Sequence, residues 1–290
     1  SADDLPSRST VAEGYDMVIN DLEEALKCIG TEVKDGRFNS WAVKGLLARV
    51  NLYKRDWDKA FSYAEDVIKN SPYSLLKTED YVAAWSGRYS SESVFDLEIS
   101  DLDAGDREMF GYVVDPKGYA AVSNTKEFED LINENPDDIR RNLLTAASVE
   151  GRTYMNKYPG INGKTAVNNI RVIRLSDIYL IAAEADIYVN GGSNALKYIN
   201  KIRTRAGANP LVGVPTINTV LDERARELCG EYARFYDLKR TGMLKDNSYL
   251  EEHHPDLAQF FKPEYALRPI STNFTSTLEG GGGYYQNPGY

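Results

Sequence analysis

Small residues recur at one spacing in two distant parts of the chain. Ala48 and Ala60 are repeated by Ala183 and Ala195 at an offset of 135 residues, and Tyr53 is repeated by Tyr188. The alignment fails at Ile68, whose counterpart is Arg203. Each alanine pair straddles the join of two helical patterns. Antiparallel helices approach closely only where their facing side chains are small, so this spacing predicts paired helices in both parts.

The surrounding patterns agree. Val11, Tyr15, Val18, Leu22, Ala25, Leu26 and Ile29 step by three and four along one helical stripe, and Thr10 with Glu13 makes a capping box at its start. Further helices are predicted over about 39–54 and 56–70, with Pro72 as the stop. Leu47, Ala48, Ala60, Ala64 and Pro72 fall where a tetratricopeptide repeat places such residues. Helical periodicity returns at Leu175, Ile178, Ile181, Ala182, Ala185 and Val189, ends at Gly191-Gly192, and resumes over about 194–206 and 218–232. From Gly242 onward the pattern is irregular, with a glycine run at Gly280–Gly283. Two repeat units are too few to bury a continuous solenoid core.

Residues 73–170 read differently. Ser93–Ile99 alternates as a short half-buried strand does, and glycines and aromatic residues crowd around it. The predicted fold class is therefore mainly α. Tetratricopeptide-like helical hairpins at 10–72 and 171–290 flank a long irregular insertion at 73–170, and the second part ends in an irregular C-terminal tail.

Composition removes several function classes. Lys and Arg number 34 against 44 Asp and Glu, a net charge of −10, which repels nucleic acid. Apolar runs such as Ile178–Ala183 are too short to span a bilayer. The two histidines, His253 and His254, are adjacent in a polar stretch read as surface loop, which disfavours Ser-His-Asp hydrolysis and multi-histidine zinc sites. Cys28 and Cys229 fit no metal spacing and are read as buried thiols. Asp101, Asp103 and Asp106 lack the closing Glu of a twelve-residue calcium loop and are read as a solvated turn. No cofactor or metal is expected. Ser1-Ala2-Asp3-Asp4 has no apolar segment of a signal peptide.

The 20 tyrosines stand out, and several lie in the insertion. Aromatic rings cover the flat C–H faces of sugars, each stack contributing roughly 1–2.5 kcal/mol. Trp85, with Tyr81 and Tyr89 four residues to either side, is the leading candidate for such contact, assisted by Tyr112 and Tyr119. Glu227 and Glu231, four apart on one helix, offer the two carboxylates a glycosidase uses. Arg224, Arg226 and Arg234 are within reach of the same surface, so these charges are read as structural ion pairs between helices.

Residues 221–240 carry Glu223, Arg224, Glu227, Leu228, Glu231, Arg234, Phe235, Asp237, Leu238 and Arg240 at the spacing of an ERxxEL…E…RFxDLxR segment. Upstream, Arg174, Leu180 and Ala183-Glu184-Ala185 match an R-x(5)-L-x-x-AEA helix, followed by Asn200-Lys201-Ile202-Arg203-Thr204-Arg205-Ala206-Gly207. The chain closes on Gln286-Asn287-Pro288-Gly289-Tyr290. Together these motifs resemble the SusD/RagB family of outer-membrane nutrient-binding lipoproteins. Two positions depart from the family pattern: Tyr232 stands where Gly is usual and Thr241 where Trp is common. Neither is among the candidate ligand residues.

The resemblance implies non-enzymatic binding of an oligo- or polysaccharide at the outer-membrane surface. It also implies delivery to a SusC-like TonB-dependent transporter, over which the lipoprotein sits as a lid. Membrane contact is expected only through an N-terminal lipid anchor that this chain does not include, because the resemblance covers the C-terminal part of a usual member. The rival from another class is a tetratricopeptide-type scaffold for peptide or protein partners, and a surface glycosidase is a third reading.

Overall fold

A computed structural model of the chain describes residues 9–100, 110–115, 118–146, 151, 153–161, 167–271 and 287. The described chain is mainly helical. In order it forms α1 (Val11–Cys28), α2 (Ser40–Lys54), α3 (Trp57–Asn70), β1 (Ser93–Leu97), α4 (Phe110–Val114), α5 (Lys126–Asn133), β2 (Leu144–Ala146), β3 (Thr153–Met155) and β4 (Ile170–Arg174). It continues with α6 (Leu175–Asn190), α7 (Ala195–Arg205), α8 (Ile217–Leu228), α9 (Arg234–Thr241), α10 (Asn247–His253) and α11 (Pro255–Ala258). Two compact units emerge: one holds Ile19–Arg234, the other the segments flanking it on either side.

Within the larger unit, α2 begins where Asn39 Oδ1 accepts from the Ala42 N–H at 3.0 Å. It ends at Arg55, whose left-handed backbone (φ 67°) turns the chain at once into the Asp56 cap of α3. A join this short forces α2 and α3 to pack antiparallel. α3 packs on α6, and α6 on α7 and α8. Gly191 and Gly192, at φ 64° and 78°, make the second tight join. Ala48, Ala60, Ala183 and Ala195 are all fully buried in one core with Leu52, Val67, Ile178, Ile181, Ile199 and Ile202. A side chain at Gly45 would meet Ile178 Cδ1 at 3.2 Å and Ile173 Cγ2 at 3.3 Å, so α2 lies close against β4 and α6. The hairpins are thus the tetratricopeptide-like pairs that the alanine spacing predicts.

This packing has a measurable consequence. Ala183→Phe is expected to destabilise the chain by about 1–3 kcal/mol through overpacking, lowering the melting temperature by about 2–12 °C. Thermal unfolding followed by circular dichroism reads this directly. An unchanged midpoint would mean that α6 does not meet its neighbours at Ala183.

The insertion leaves and re-enters the helical scaffold at one place. β1, near its start, pairs antiparallel with β4 at its end, with Ser93 opposite Arg174 and Leu97 opposite Ile170. The strand expected over Ser93–Ile99 is therefore present, two residues shorter. Inside the insertion, β2 and β3 pair with Thr145 opposite Tyr154, and Thr125 caps α5 by accepting from Phe128 N–H at 3.3 Å. A 3-10 turn at Ala83–Ser86 carries Trp85.

The capping box at the start of α1 is formed: Thr10 N donates to Glu13 Oε2 at 2.7 Å and Glu13 N to Thr10 Oγ1 at 3.2 Å. Ile19 on this helix packs against Val43 and Leu47. The smaller unit has its own core of Leu238, Leu244, Tyr249, Leu250 and Ala266, assembled from short helices and turns. The glycine run and the closing residues, apart from Asn287, lie outside the described residues. Among the described residues no helix is long and apolar enough to cross a membrane.

Candidate functional site

Strand β4 and helices α7 and α8 bring a dense set of charges together beneath the insertion. Glu227, on α8, accepts from Arg174 at 2.9 Å, Arg140 at 3.1 Å and Arg205. Glu223, one turn earlier, meets Arg140 at 2.8 Å, Arg203 at 2.9 Å and Arg226 at 3.2 Å. Glu231 lies 2.7 Å from both Arg174 Nε and Lys157 Nζ. Arg174 reaches Glu92 as well, at 3.0 Å. Asp177 is shared by Arg49 at 2.7 Å and Arg224 at 2.8 Å. Glu223 and Glu227 are 0% exposed. The insertion contributes Glu92, Arg140 and Lys157, so this lattice fastens it to the helices.

The lattice also answers the enzymatic reading of Glu227 and Glu231. Burial alone would raise both carboxyls. Arg205, Arg174, Arg140 and Lys157 outweigh it at Glu227, as Arg174 and Lys157 do at Glu231, and hold each below its ordinary value. A glycosidase needs one of its two carboxyls protonated near neutral pH. Neither of these can serve as that acid.

Two of the five aromatic candidates belong to the same interior. Tyr81 is 0% exposed and Trp85 3%, their rings edge to face at 6.2 Å. Lys157 Nζ and the Arg171 guanidinium lie 4.7 Å from the Trp85 ring centre and Arg174 5.2 Å, while Arg205 lies 4.0 Å from Tyr81. Their faces are occupied by cations of the lattice, a favourable arrangement for desolvated Arg and Lys. The cavity beside them, of about 10 Å³, holds one water at most and no pyranose. The expectation that Trp85 and Tyr81 form an open stacking surface is therefore corrected: they are core residues that seat the lattice. Tyr89 stands apart from both pairs of candidate rings, half-buried, its hydroxyl donating to Glu98 Oε2 at 2.9 Å.

Tyr112 and Tyr119 are brought together near the surface. They stand edge to face at 5.2 Å and 89°, with Tyr119 57% exposed. Local backbone geometry sets this. The Tyr119 N–H donates to Tyr112 O at 3.0 Å, closing the chain back onto α4. A Cβ at Gly118 would lie 2.0 Å from Tyr112 O, so only glycine permits the turn.

Three aromatics outside the sequence expectation, Phe110, Tyr158 and Tyr232, form a second group at α4. Phe110, on the first residue of α4, meets Tyr158 at 4.7 Å and Tyr232 at 4.7 Å. Tyr158 in turn meets Trp85 at 6.4 Å. Five rings thus run in contact from buried Tyr81 through Trp85, Tyr158 and Phe110 to Tyr232, which is 64% exposed. The Tyr158 hydroxyl donates to Gly230 O at 3.2 Å. The one sequence signal for this end of the row is the Tyr that replaces the usual Gly at position 232.

The remaining candidates resolve simply. His253 ends α10 and His254 follows as its cap, so the expected loop is helical there; the His253 ring lies 4.4 Å from Tyr249. Cys28 is exposed, contrary to the buried reading, because it closes α1 on the side turned away from Val43 and Leu47. Cys229 is part-buried, its thiol facing Asn124 Oδ1 at 3.9 Å and pushed up to about 12 by burial. Asp101, Asp103 and Asp106 lie outside the described residues. Among the described residues no group of three or more His, Cys, Asp or Glu side chains is placed to hold a metal ion.

The chain is similar to known proteins along most of its length. A model of the SusD family matches residues 147–290. A solved SusD superfamily protein from Bacteroides thetaiotaomicron superposes with a TM-score of 0.84 at 31% identity, covering 98% of this chain and 68% of that one. SusD-like protein P25 from Formosa agariphila is 26% identical over 323 residues, taking in 90% of this chain and 60% of that protein. The starch-binding protein SusD from Bacteroides thetaiotaomicron is 42% identical over 82 residues, 28% of this chain and 14% of that protein. The chain therefore spans less than two thirds of the length of the Formosa relative.

Proposed function

The chain belongs to the SusD family, and from that membership we propose that it binds glycan, without cleaving it, through aromatic residues on and around α4. The observation that carries the reading is the locked Tyr112–Tyr119 pair, on the same short helix that carries Phe110. One ring is more than half exposed on backbone that a glycine turn and its hydrogen bonds hold in place. Such a ring covers the C–H face of a pyranose while its hydroxyl edge stays in water. The likeness to the starch-binding protein SusD supports a carbohydrate ligand. Ion pairing of Glu227 and Glu231 supports a purely binding role. We extend the proposal to an outer-membrane lipoprotein that hands its ligand to a SusC-like TonB-dependent transporter.

Titration calorimetry against malto-, cello-, xylo- and manno-hexaose tests the reading. The chain is expected to bind at least one of these at millimolar to micromolar affinity. Tyr119→Ala is expected to weaken that binding about tenfold, as loss of one stack should, with the melting temperature unchanged. Reducing ends released over a day, absent from a contaminant control, would overturn the non-catalytic reading. Unaltered affinity in Tyr119→Ala would move the site away from α4.

A further inference from the structure

We infer that Tyr232 is a ligand-contact residue of this site, an aromatic wall displayed by a strained turn that the buried lattice pins in place. The inference rests on the glycan-binding reading above and adds a residue from the far side of the sequence. Its starting point is backbone geometry. Tyr232 sits at φ 60°, in the left-handed region where a side chain crowds its own carbonyl and glycine does not. Among the described residues only Arg55, Ala120 and Tyr232 do this without being glycine. Arg55 makes the turn between α2 and α3, where its N–H is bonded to Leu52 O. The other two adjoin aromatic residues of α4 and its following turn: Ala120 directly follows Tyr119, and Tyr232 touches Phe110.

Packing does not account for a large ring at so unfavourable a position. Tyr232 is 64% exposed, and its ring meets Phe110 at a tilt of 42°. Strain kept where it does not serve the core is the mark of a functional position. What tyrosine supplies here and glycine cannot is a ring face turned to solvent beside Phe110.

The turn is also unusually well held. The residue before it, Glu231, is fixed by Arg174 and Lys157, and Gly230 O accepts from the buried Tyr158 hydroxyl. Ordering is therefore done before ligand arrives, and little motion remains to be lost on binding. The ligand class this suits is an oligosaccharide of pyranose rings, one ring resting on Tyr232 and Phe110.

Three substitutions in the whole chain test this with the same four hexasaccharides, reading affinity by calorimetry and stability by melting. Tyr232→Ala and Tyr232→Gly are each expected to weaken binding of the preferred sugar about tenfold, and Tyr232→Phe to preserve it. Tyr232→Gly should melt about 2–4 °C above Tyr232→Ala, since both lack the ring and only glycine relieves the backbone. Unchanged affinity in Tyr232→Ala, with binding lost in Tyr119→Ala, would overturn the inference and leave the site reading standing. Binding unchanged in both, or absent for every sugar, would remove the site reading and the inference with it. Equal melting of the Gly and Ala variants would overturn the part played by strain.

Discussion

Arg174→Ala is expected to destabilise the chain by about 3–5 kcal/mol, the cost of leaving buried carboxylates without their partner. Arg174 is 2% exposed and is bonded to Glu92, Glu227, Glu231 and the Ser176 hydroxyl at once. Among the described residues, Glu227 would keep Arg140 and Arg205, but Glu231 would keep Lys157 alone, and Glu92 would keep the Leu76 N–H at 2.9 Å and a distant Arg205 at 3.6 Å. A fall in melting temperature of about 6–20 °C follows from that range. The insertion should loosen first, because this residue joins the base of the insertion to α8. Hydrogen exchange resolved by segment would show it, with protection lost around 76–92 and 227–231 before α2 or α6. A melting point close to that of the unaltered chain would mean that the ion pairs are solvated and exchange freely.

Trp85→Ala should be comparably damaging, by about 3–5 kcal/mol, and should leave glycan affinity intact below the melting transition. The ring lies amid Tyr81, Tyr158 and three cations, so its removal opens a void that polar groups cannot fill. Calorimetry at a temperature where the variant is folded separates the two effects. Lost affinity with an unchanged melting point would return Trp85 to the binding surface.

The contrast between Trp85 and Tyr119 shows what a sequence can and cannot reveal here. Helices α1 to α3 and α6 to α8 are legible because their apolar spacing, caps and small residues are local signals. The alanine pairs even specify which helix faces meet. Strand β4 is not legible, since its buried residues are Arg171, Ile173 and Arg174, two charges and one apolar residue with no apolar alternation. Helix α8 stops at Leu228 although the pattern continues to Tyr232, because Gly230 and Tyr232 adopt left-handed backbone. Trp85 looks like a surface residue beside glycine- and serine-rich turns. The cations that enclose it come from Lys157, Arg171 and Arg174, more than seventy residues away, and no local pattern announces them. Tyr112 and Tyr119 are seven apart and meet through a turn whose key is Gly118, a local signal within reach of sequence reading.

The pairing of β1 with β4 bears on how such a chain can change over generations. The segment 98–169 departs and returns between two hydrogen-bonded strands and is fastened again by Arg140 and Lys157, so the helical hairpins sense those ties and less of what lies beyond them. Loop-closure entropy grows only with the logarithm of length, about 0.6 kcal/mol for each doubling. Residues can be gained, lost or exchanged in the outer part of that segment without the alanine-lined hairpins having to repack. One inherited scaffold can therefore host descendants with different outer surfaces, provided the tie and the arginine lattice at its foot are kept.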